Sequence, residues 1–262
     1  NKKRYYSLLS STLKPKTKTM KRIRSIMLLL GVLAALSCTK TQTANGGQVS
    51  FNVLSDSDIV EVTKSQVSDY TNLPSAGDFT IKVTDASGAS IYSGKISGWD
   101  ASTQLSTGNY SVTAEYGALD EEGFDKPYFY GSANFAIVGG NTTAVSIPVS
   151  LGNTIVKVSC SDLFKKYYSN YSFTFSRGTA TLASFAKDDA RAAFIDGYRV
   201  TLSGTLSNGS KTQSFSKDYT NLKEATAYTF HFDISNVGTN AITITFNDIV
   251  DTIELGDVEL ND

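Results

Sequence analysis

Apolar and polar residues alternate with a period of two along most of the chain after residue 48. Successive side chains of an extended strand point to opposite faces, so this pattern predicts strands with one face in a core and one in water. These segments are rich in Val, Ile, Thr, Tyr and Phe, which suit a pleated surface. The clearest of them are Phe79–Thr84, Tyr110–Ala114, Val145–Ile147, Ile155–Val158, Tyr228–Ile234 and Ile242–Phe246.

Turn-forming residues separate these strands at 85–88, 139–141, 152–153 and 207–209. Asn208-Gly209 is the strongest signal, because a two-residue type I′ turn requires positive φ at both positions. It predicts a hairpin between strands near 198–206 and 210–217. Many short strands with regular turns are typical of a β-sandwich or barrel. Helix is scarce: the candidates are Ser161–Tyr168, capped by Ser161, and Lys187–Phe194.

A faint internal similarity bears on domain organisation. In 104–112 and in 221–230, a Leu lies five or six residues before a Tyr that opens an alternating strand. Chance similarity among common β residues is the alternative. If the similarity is real, it implies two related sandwiches that meet near Gly152-Asn153. We therefore expect an N-terminal domain over 48–151 and a C-terminal domain over 152–262.

The segment before residue 48 has a different pattern. Basic residues precede an uncharged apolar run, Ile26–Leu36, which ends at Ser37 and Cys38. This order indicates a cleaved signal peptide over 20–37. The run has 11 residues, whereas a helix that crosses a bilayer needs about 20. Residues 1–19 are expected to be a leader upstream of the true start at Met20.

The end of this segment, Ala35–Cys38, resembles the lipobox of bacterial lipoproteins, although Leu is more common than Ala at its first position. The resemblance implies that Cys38 is lipidated and anchors the protein in the outer membrane. Residues 38–47 are polar and small, as expected of a tether. Residues 39–42 contain no acid, so both a cell-surface and a periplasm-facing orientation stay open.

Removal of the signal changes the charge balance. Residues 1–37 hold nine of the 24 basic residues and none of the 25 acidic ones. The chain from Cys38 onward therefore has 15 basic and 25 acidic residues, a net charge of −10. An acidic surface disfavours nucleic acid, which requires a basic face, so no nucleic-acid partner is expected.

The residues that could carry chemistry are few. A lipidated Cys38 leaves Cys160 without a disulfide partner, and a buried structural thiol is favoured over a reactive one. His231 is the only histidine, and no Gly-x-Ser-x-Gly motif accompanies it. The acidic clusters at 56–58 and 120–125 offer oxygens for calcium but do not have EF-hand spacing. We therefore predict no catalytic residue, no cofactor and no metal site.

Aromatic residues are the remaining candidates for ligand contact, because sugar rings stack on flat exposed side chains. Trp99, the only tryptophan, lies in a polar turn, and Tyr128 and Tyr130 belong to an aromatic cluster. We name these three as possible ligand-binding residues. Core packing is the alternative, because alternation buries about half of the aromatic residues in strands.

Two stretches, 105–117 and 124–159, resemble an uncharacterised family of Bacteroidetes lipoproteins, domain of unknown function 4493. The shared features are a Gly-x-Tyr strand, a Pro-Tyr-Phe-x-Gly segment, a Gly-rich hairpin and a Leu-x-Asn turn into a Val-rich strand. The resemblance extends over about 48–262 and implies a lipid-anchored, all-β envelope protein. The family provides no catalytic residues. A weaker, architectural resemblance is to fimbrillin-type proteins, which pair two β-sandwich domains behind a lipoprotein signal.

From these observations we expect an all-β fold of two small sandwiches of transthyretin-like or immunoglobulin-like type in tandem, with little helix. We expect a non-enzymatic module for binding, adhesion or assembly in the cell envelope, attached to the membrane by its lipid. The alternatives are a fimbrillin-like structural subunit and a glycan-binding accessory lipoprotein. Glycans and proteins are both candidate partners.

Overall fold

A computed structural model shows an all-β protein, which confirms the fold class predicted from the alternation. The structure describes residues 45–56, 58–59, 65–234, 241–246 and 249–254. The predicted leader, signal peptide and lipidation residue Cys38 lie outside these residues. The first strand begins at Gly46, so the last two residues of the predicted tether belong to it.

The strands before Gly152 are short and are joined by turns and three short 3-10 helices. In the described part of this half they are β1 (Gly46–Asp56), β2 (Asp58–Ile59), β3 (Ser65–Gln66), β4 (Thr80–Asp85), β5 (Ser90–Lys95), β6 (Leu105–Ser106), β7 (Gly108–Tyr116), β8 (Gly123–Phe124), β9 (Phe129–Ile137) and β10 (Thr142–Leu151). The 3-10 helices are Val67–Asp69, Ala76–Asp78 and Ile96–Gly98.

The half after Gly152 holds the single α-helix of the described residues. Its elements are β11 (Thr154–Cys160), α1 (Asp162–Tyr167), β12 (Asn170–Arg177), β13 (Ala180–Phe185), β14 (Ala192–Ile195), β15 (Arg199–Asn208), β16 (Lys211–Thr220), β17 (Thr226–Ile234), β18 (Ala241–Phe246) and β19 (Ile249–Glu254). Within the described ranges, no helix is long and apolar enough to cross a membrane.

The strands form one sheet in the first half and two in the second, beside the small β2–β3 pair. The seven-stranded sheet has the order β5-β4-β7-β9-β10-β1-β6. The six-stranded sheet has the order β19-β18-β17-β11-β14-β8, and the four-stranded sheet β13-β12-β15-β16. β1 pairs in parallel with β10, and β11 pairs in parallel with β17. The chain passes from the seven-stranded to the six-stranded sheet between Leu151 and Thr154. The predicted domain boundary lies at this point, and the division into two domains stays a prediction.

The local predictions have mixed outcomes. The predicted helix is present as α1, and Ser161 caps it, since the Phe164 N–H donates to the Ser161 hydroxyl at 3.1 Å. The predicted hairpin is also present, as β15 and β16. Its turn residues are Gly209 and Ser210, with only Gly209 in the left-handed region (φ +61), which fits a type II′ turn rather than type I′.

The second helix candidate, Lys187–Phe194, is wrong. Its last three residues lie in β14, and every residue of this strand is buried. The run Ala-Arg-Ala-Ala-Phe favours helix locally. Burial on both faces of a sheet overrides that preference, because a continuous apolar run satisfies a doubly buried strand.

Two hydrophobic cores lie on opposite faces of β11, β14 and β17. Ile155 and its register partners Phe194 and Ala227 belong to the core of the first half. The next residue, Val156, and its register partners belong to the core of the second half. These strand segments therefore form a layer that both halves share, and the period of two assigns neighbouring residues to different cores.

The second core is mainly aromatic. Phe173 of β12 and Phe232 of β17 stack with ring centroids 4.0 Å apart, and Phe175 meets Phe230 edge to face at 5.0 Å. These contacts join the four-stranded sheet to the six-stranded one, as in a β-sandwich. Aromatic pairs of this geometry contribute about 0.5–1.5 kcal/mol beyond the burial of their area. The core is thus held together by packing across the two sheets.

A segment of the first half is inserted into the second. β8 pairs with β14, so a strand from before Gly152 extends the six-stranded sheet. The preceding Glu122 has a side chain only 7% exposed and accepts two hydrogen bonds from the Arg177 guanidinium, at 2.6 and 3.1 Å. The Asp196 N–H donates to the same carboxylate at 2.7 Å. This buried ion pair fastens the two halves to each other.

Substitution Glu122→Gln should lower the free energy of unfolding by about 2–3 kcal/mol, because it removes the nearer of the two carboxylates that pair with the Arg177 guanidinium, the other being Asp196 at 3.9 Å. Urea denaturation followed by circular dichroism measures the change. Glu121→Gln is the matched control: its pair with Lys126 (3.3 Å) is exposed, and its loss should cost less than about 0.5 kcal/mol. Equal effects of the two substitutions would contradict a fastening role for Glu122.

Cys160 ends β11 as a half-buried free thiol. Burial raises its pKa to about 12, an effect that the positive charge of Lys165 only partly offsets. The thiolate, which is the reactive form, is therefore scarce at neutral pH. This agrees with the sequence-based preference for a structural cysteine.

In a Cys38→Ala chain, Cys160 should react with iodoacetamide at pH 8 about a thousandfold more slowly in the folded than in the urea-unfolded protein, since its folded pKa is far above the usual value. The raised pKa also means that the stability linked to this thiol is fully present below about pH 8.5 and is lost as the pH rises towards 12. Mass spectrometry of the alkylated protein measures the rate. Comparable rates in both states would contradict the raised pKa.

Candidate functional site

An exposed pair of stacked tyrosines, Tyr128 and Tyr130, lies on the sheet surface and is called the tyrosine pair below. Their ring centroids lie 5.7 Å apart, and the planes are inclined by 14°. Tyr130 is 40% exposed, and Tyr128 is half-buried. Tyr128 directly precedes β9, and Tyr130 is the second residue of that strand. Phe129, between them, is buried in the core, so both tyrosines lie on the outer face. The structure thus brings together two of the three residues predicted to bind a ligand.

Gly152 supports the pair from the side. A Cβ atom at this position would lie 2.6 Å from Cδ1 of Tyr128 and 3.1 Å from Cδ1 of Tyr130, so a larger residue would displace the rings. The Gly152 N–H also donates to the Tyr128 carbonyl at 2.8 Å. Sequence reasoning identified Gly152 only as a turn residue and missed this close approach.

Asn153 connects the tyrosine pair to the second half. Its side chain is fully buried, and its Oδ1 accepts a hydrogen bond from the Tyr128 N–H. Its carbonyl accepts from the Ala225 N–H at 2.9 Å, in the loop between β16 and β17. Thr154 fastens the same loop, because its hydroxyl donates to the Lys223 carbonyl at 2.9 Å. Both sides of the site are therefore fixed to the chain segment that enters β11.

Two carboxylates flank the tyrosine pair. Glu224, in the β16–β17 loop, accepts from the Tyr130 hydroxyl at 3.4 Å. Glu115 of β7 is the register partner of Tyr130 and is exposed. One carboxylate thus comes from each half of the chain, and sequence analysis identified neither.

The electrostatic environment of the pair is negative. The charge of Glu224 raises the pKa of Tyr130, and burial and the hydrogen bond add to this effect. Burial raises the pKa of Tyr128, and Glu115 contributes in the same direction. Both phenols are therefore neutral at physiological pH and keep their hydroxyl protons.

Trp99, the third predicted ligand residue, lies elsewhere. Its indole N–H donates to the Val49 carbonyl at 2.9 Å, and its ring meets Phe51 and Tyr92 edge to face at 5.3 and 5.1 Å. It is half-buried and covers β1. This packing accounts for a tryptophan in a polar turn, and it does not join the tyrosine pair.

His231 is half-exposed, whereas its neighbours Phe230 and Phe232 are fully buried. Its Nδ1 lies 2.8 Å from the Ser159 hydroxyl. Asp233, the nearest carboxylate along the strand, instead accepts from the Ser161 hydroxyl and from the Ile234 N–H. Ser159, His231 and Asp233 therefore do not form the catalytic triad of a serine hydrolase, in which the carboxylate orients the histidine.

The acidic loop at 120–125 is engaged in ion pairs. Glu121 pairs with Lys126, and Glu122 pairs with Arg177, as described above. Of the other calcium candidates, the side chains at 56–58 lie outside the described residues. In the part of the chain that the structure describes, no three metal-ligating side chains form a group that could hold an ion.

The chain has limited similarity to solved structures of several bacterial proteins. A fimbrial assembly protein from Parabacteroides distasonis is 9% identical, with a TM-score of 0.47, over 79% of this chain and 99% of that one. The fimbrial anchor protein Mfa2 from Porphyromonas gingivalis is 13% identical, with a TM-score of 0.39, over 78% and 98%. A candidate polysaccharide-binding protein from Bacteroides thetaiotaomicron is 12% identical, with a TM-score of 0.44, over 79% and 98%.

These identities and TM-scores are too low to carry a function over to this chain. No curated protein matches the sequence. The sequence does match a family described as a domain of unknown function, DUF4493, over residues 45–262. This range covers both cores and the tyrosine pair, and the match confirms the resemblance noted in the sequence. The chain belongs to the DUF4493 family.

Proposed function

We propose that the protein is a non-enzymatic binding and adhesion module of the bacterial cell envelope, anchored in the outer membrane by a lipid on Cys38. The observation that carries this proposal is the tyrosine pair: two stacked rings, 5.7 Å apart, on the outer face of β9. Exposed tyrosines provide rigid, amphipathic contact area at a low entropic cost. Carboxylates from both halves flank the rings, which supports a surface that recognises a ligand.

The chemistry of the described nucleophiles favours binding over catalysis. Cys160 has a pKa of about 12, so its thiolate is scarce. Ser159 contacts the single histidine, but Asp233 is bonded to other groups. Neither side chain has the activation that nucleophilic catalysis requires.

The proposed anchor keeps the protein close to the membrane. Seven residues separate Cys38 from the start of β1 at Gly46. Fully extended, they span at most about 25 Å.

Tyr130→Ala should lower the adhesion of intact cells that carry the protein to glass coated with desialylated and desulfated mucin by at least about threefold. The expected cause is the loss of contact area, since the exposed ring contributes little to stability, below about 1 kcal/mol. Adhering cells are counted under flow, and protein at the cell surface is measured by protease shaving of intact and lysed cells. Tyr198→Ala is the matched control, because Tyr198 is 72% exposed and lies outside the pair.

Cys38→Ala tests the proposed lipid anchor in the same cell-adhesion experiment. It should move the protein from the membrane fraction to the soluble fraction and abolish adhesion, whereas Tyr130→Ala should stay in the membrane fraction. Equal adhesion of Tyr130→Ala and the unaltered protein would refute the proposed binding surface. A Cys38→Ala protein that stays in the membrane fraction would refute the anchor.

A second candidate, a fimbrillin-like structural subunit, is favoured by the position of β1. This strand pairs in parallel with β10 over nine residues in a sheet whose other pairs are antiparallel. On its other side, β6 pairs only with Gly46 and Gly47. Loss of β1 would expose the full length of β10, which a strand from another molecule could then cover.

If this second candidate is correct, cleavage at a protease site inserted between Asp58 and Ser65 should release β1 and yield filaments visible by electron microscopy. The same site inserted at Ser87-Gly88, in the β4–β5 turn, is the matched control, since cleavage there leaves β1 connected to β4, which pairs with β7 in the same sheet. A cleaved protein that stays monomeric at all concentrations would exclude strand exchange through β1.

A further inference from the structure

The ring of Tyr130 presents apolar faces with a polar rim. Tyr128 stacks beside this ring, with the centroids 5.7 Å apart, and Tyr130 keeps 40% of its surface exposed. A pyranose ring has a matching shape, with an apolar face of C–H groups and hydroxyls around its edge. Such a ring can lie on Tyr130 and keep its hydroxyls in contact with water and with neighbouring polar groups.

The neighbouring polar groups are hydrogen-bond acceptors. Glu224 reaches the Tyr130 hydroxyl at 3.4 Å, so its carboxylate lies at the edge of the ring on which a sugar would stack. Glu115 is paired with Tyr130 across β7 and β9, at a spacing that places the two Cβ atoms about 5 Å apart. An ionised carboxylate only accepts hydrogen bonds. The hydroxyls of a saccharide are donors that satisfy it.

The charge of the site restricts the ligand further. Glu115 and Glu224 both border the rings. The pKa of Tyr128 is raised by burial and then by Glu115, and the pKa of Tyr130 is raised by Glu224 and then by burial. A uronate, sulfate or phosphate on the ligand would therefore meet two like charges at close range. At the dielectric of a protein surface, each such contact is unfavourable by enough to reduce affinity about tenfold.

We propose that the tyrosine pair is a binding site for neutral saccharides, in which a pyranose stacks on Tyr130, Glu115 and Glu224 accept its hydroxyls, and acidic glycans are rejected. The inference rests on the proposed binding function, since it names the ligand class of the same surface. Both halves of the chain contribute to selectivity, because the two carboxylates come from different halves. Gly152 keeps the two rings in position.

A glycan array with the purified chain tests the site. The probes are neutral oligosaccharides of glucose, mannose, galactose and N-acetylglucosamine, each set beside oligosaccharides of galacturonate and of sulfated galactose. We expect binding to at least one neutral series, at least tenfold weaker binding to the acidic series, and loss of the signal in Tyr130→Ala. Tyr130→Phe keeps the stacking surface and should retain most of the binding, and Tyr198→Ala should behave as the unaltered protein.

The variant Glu115→Gln/Glu224→Gln tests the basis of selectivity and keeps both rings. It should reduce the preference for neutral over acidic glycans by at least about tenfold, because the repulsion from both carboxylates is removed. Tyr130-dependent binding with a preference for acidic glycans would overturn the inference and leave the proposed binding surface standing. Tyr130-dependent cell adhesion without glycan binding would also overturn the inference and leave the proposed binding surface standing, because it would indicate a protein ligand. An absence of Tyr130-dependent binding in both assays would overturn the inference and the proposed function together.

Discussion

Burial on both faces of β14 and of the adjoining residues 154–156 of β11 and 226–228 of β17 is the constraint on which the rest of this structure depends. A strand with a core on each side cannot alternate apolar and polar residues, and the Ala-Ala-Phe-Ile sequence of β14 is accordingly apolar throughout. Ile155 and Val156 are neighbours in the chain, yet they belong to different cores. Each half therefore completes its own core with residues of the same three strands.

This shared layer determines where the candidate site forms. Gly152 and Asn153 precede β11, and the β16–β17 loop precedes β17, so the two parallel strands begin at the same edge of the layer. Asn153 then links Tyr128 to that loop through its side chain and its backbone. A site made from two halves of a chain is geometrically reliable only if the halves are fixed relative to each other. The β8–β14 pairing and the Glu122–Arg177 ion pair provide that fixation.

Local patterns in the sequence predict much of the fold. The alternation predicts the strands, and the cap at Ser161 predicts α1, because both depend on residues close together in the chain. The Asn208-Gly209 signal identifies the hairpin, but cross-strand pairing selects Gly209-Ser210 as the turn. The helix predicted over 187–194 is wrong for a related reason, because burial in the sheet overrides the local preference of a whole segment. Local helix propensity is worth a few tenths of a kcal/mol per residue, and burial of a phenylalanine or isoleucine is worth about 2–3 kcal/mol.

In the candidate site as well, local sequence patterns predict some features but miss the contacts between residues that are far apart in the chain. Period-two spacing is sufficient to place Tyr128 and Tyr130 on one face, and the sequence thus predicts the pair. Glu224 is 94 residues from Tyr130, and no local pattern connects them. Tryptophan is a residue type typical of ligand contacts, but the indole N–H of Trp99 donates to a backbone carbonyl of β1, 50 residues away. An aromatic residue in a β protein forms a binding surface only where long-range strand pairing leaves its ring uncovered. At Tyr130, the inserted β8 segment and the shared layer hold the surrounding strands and loops in positions that leave the ring exposed.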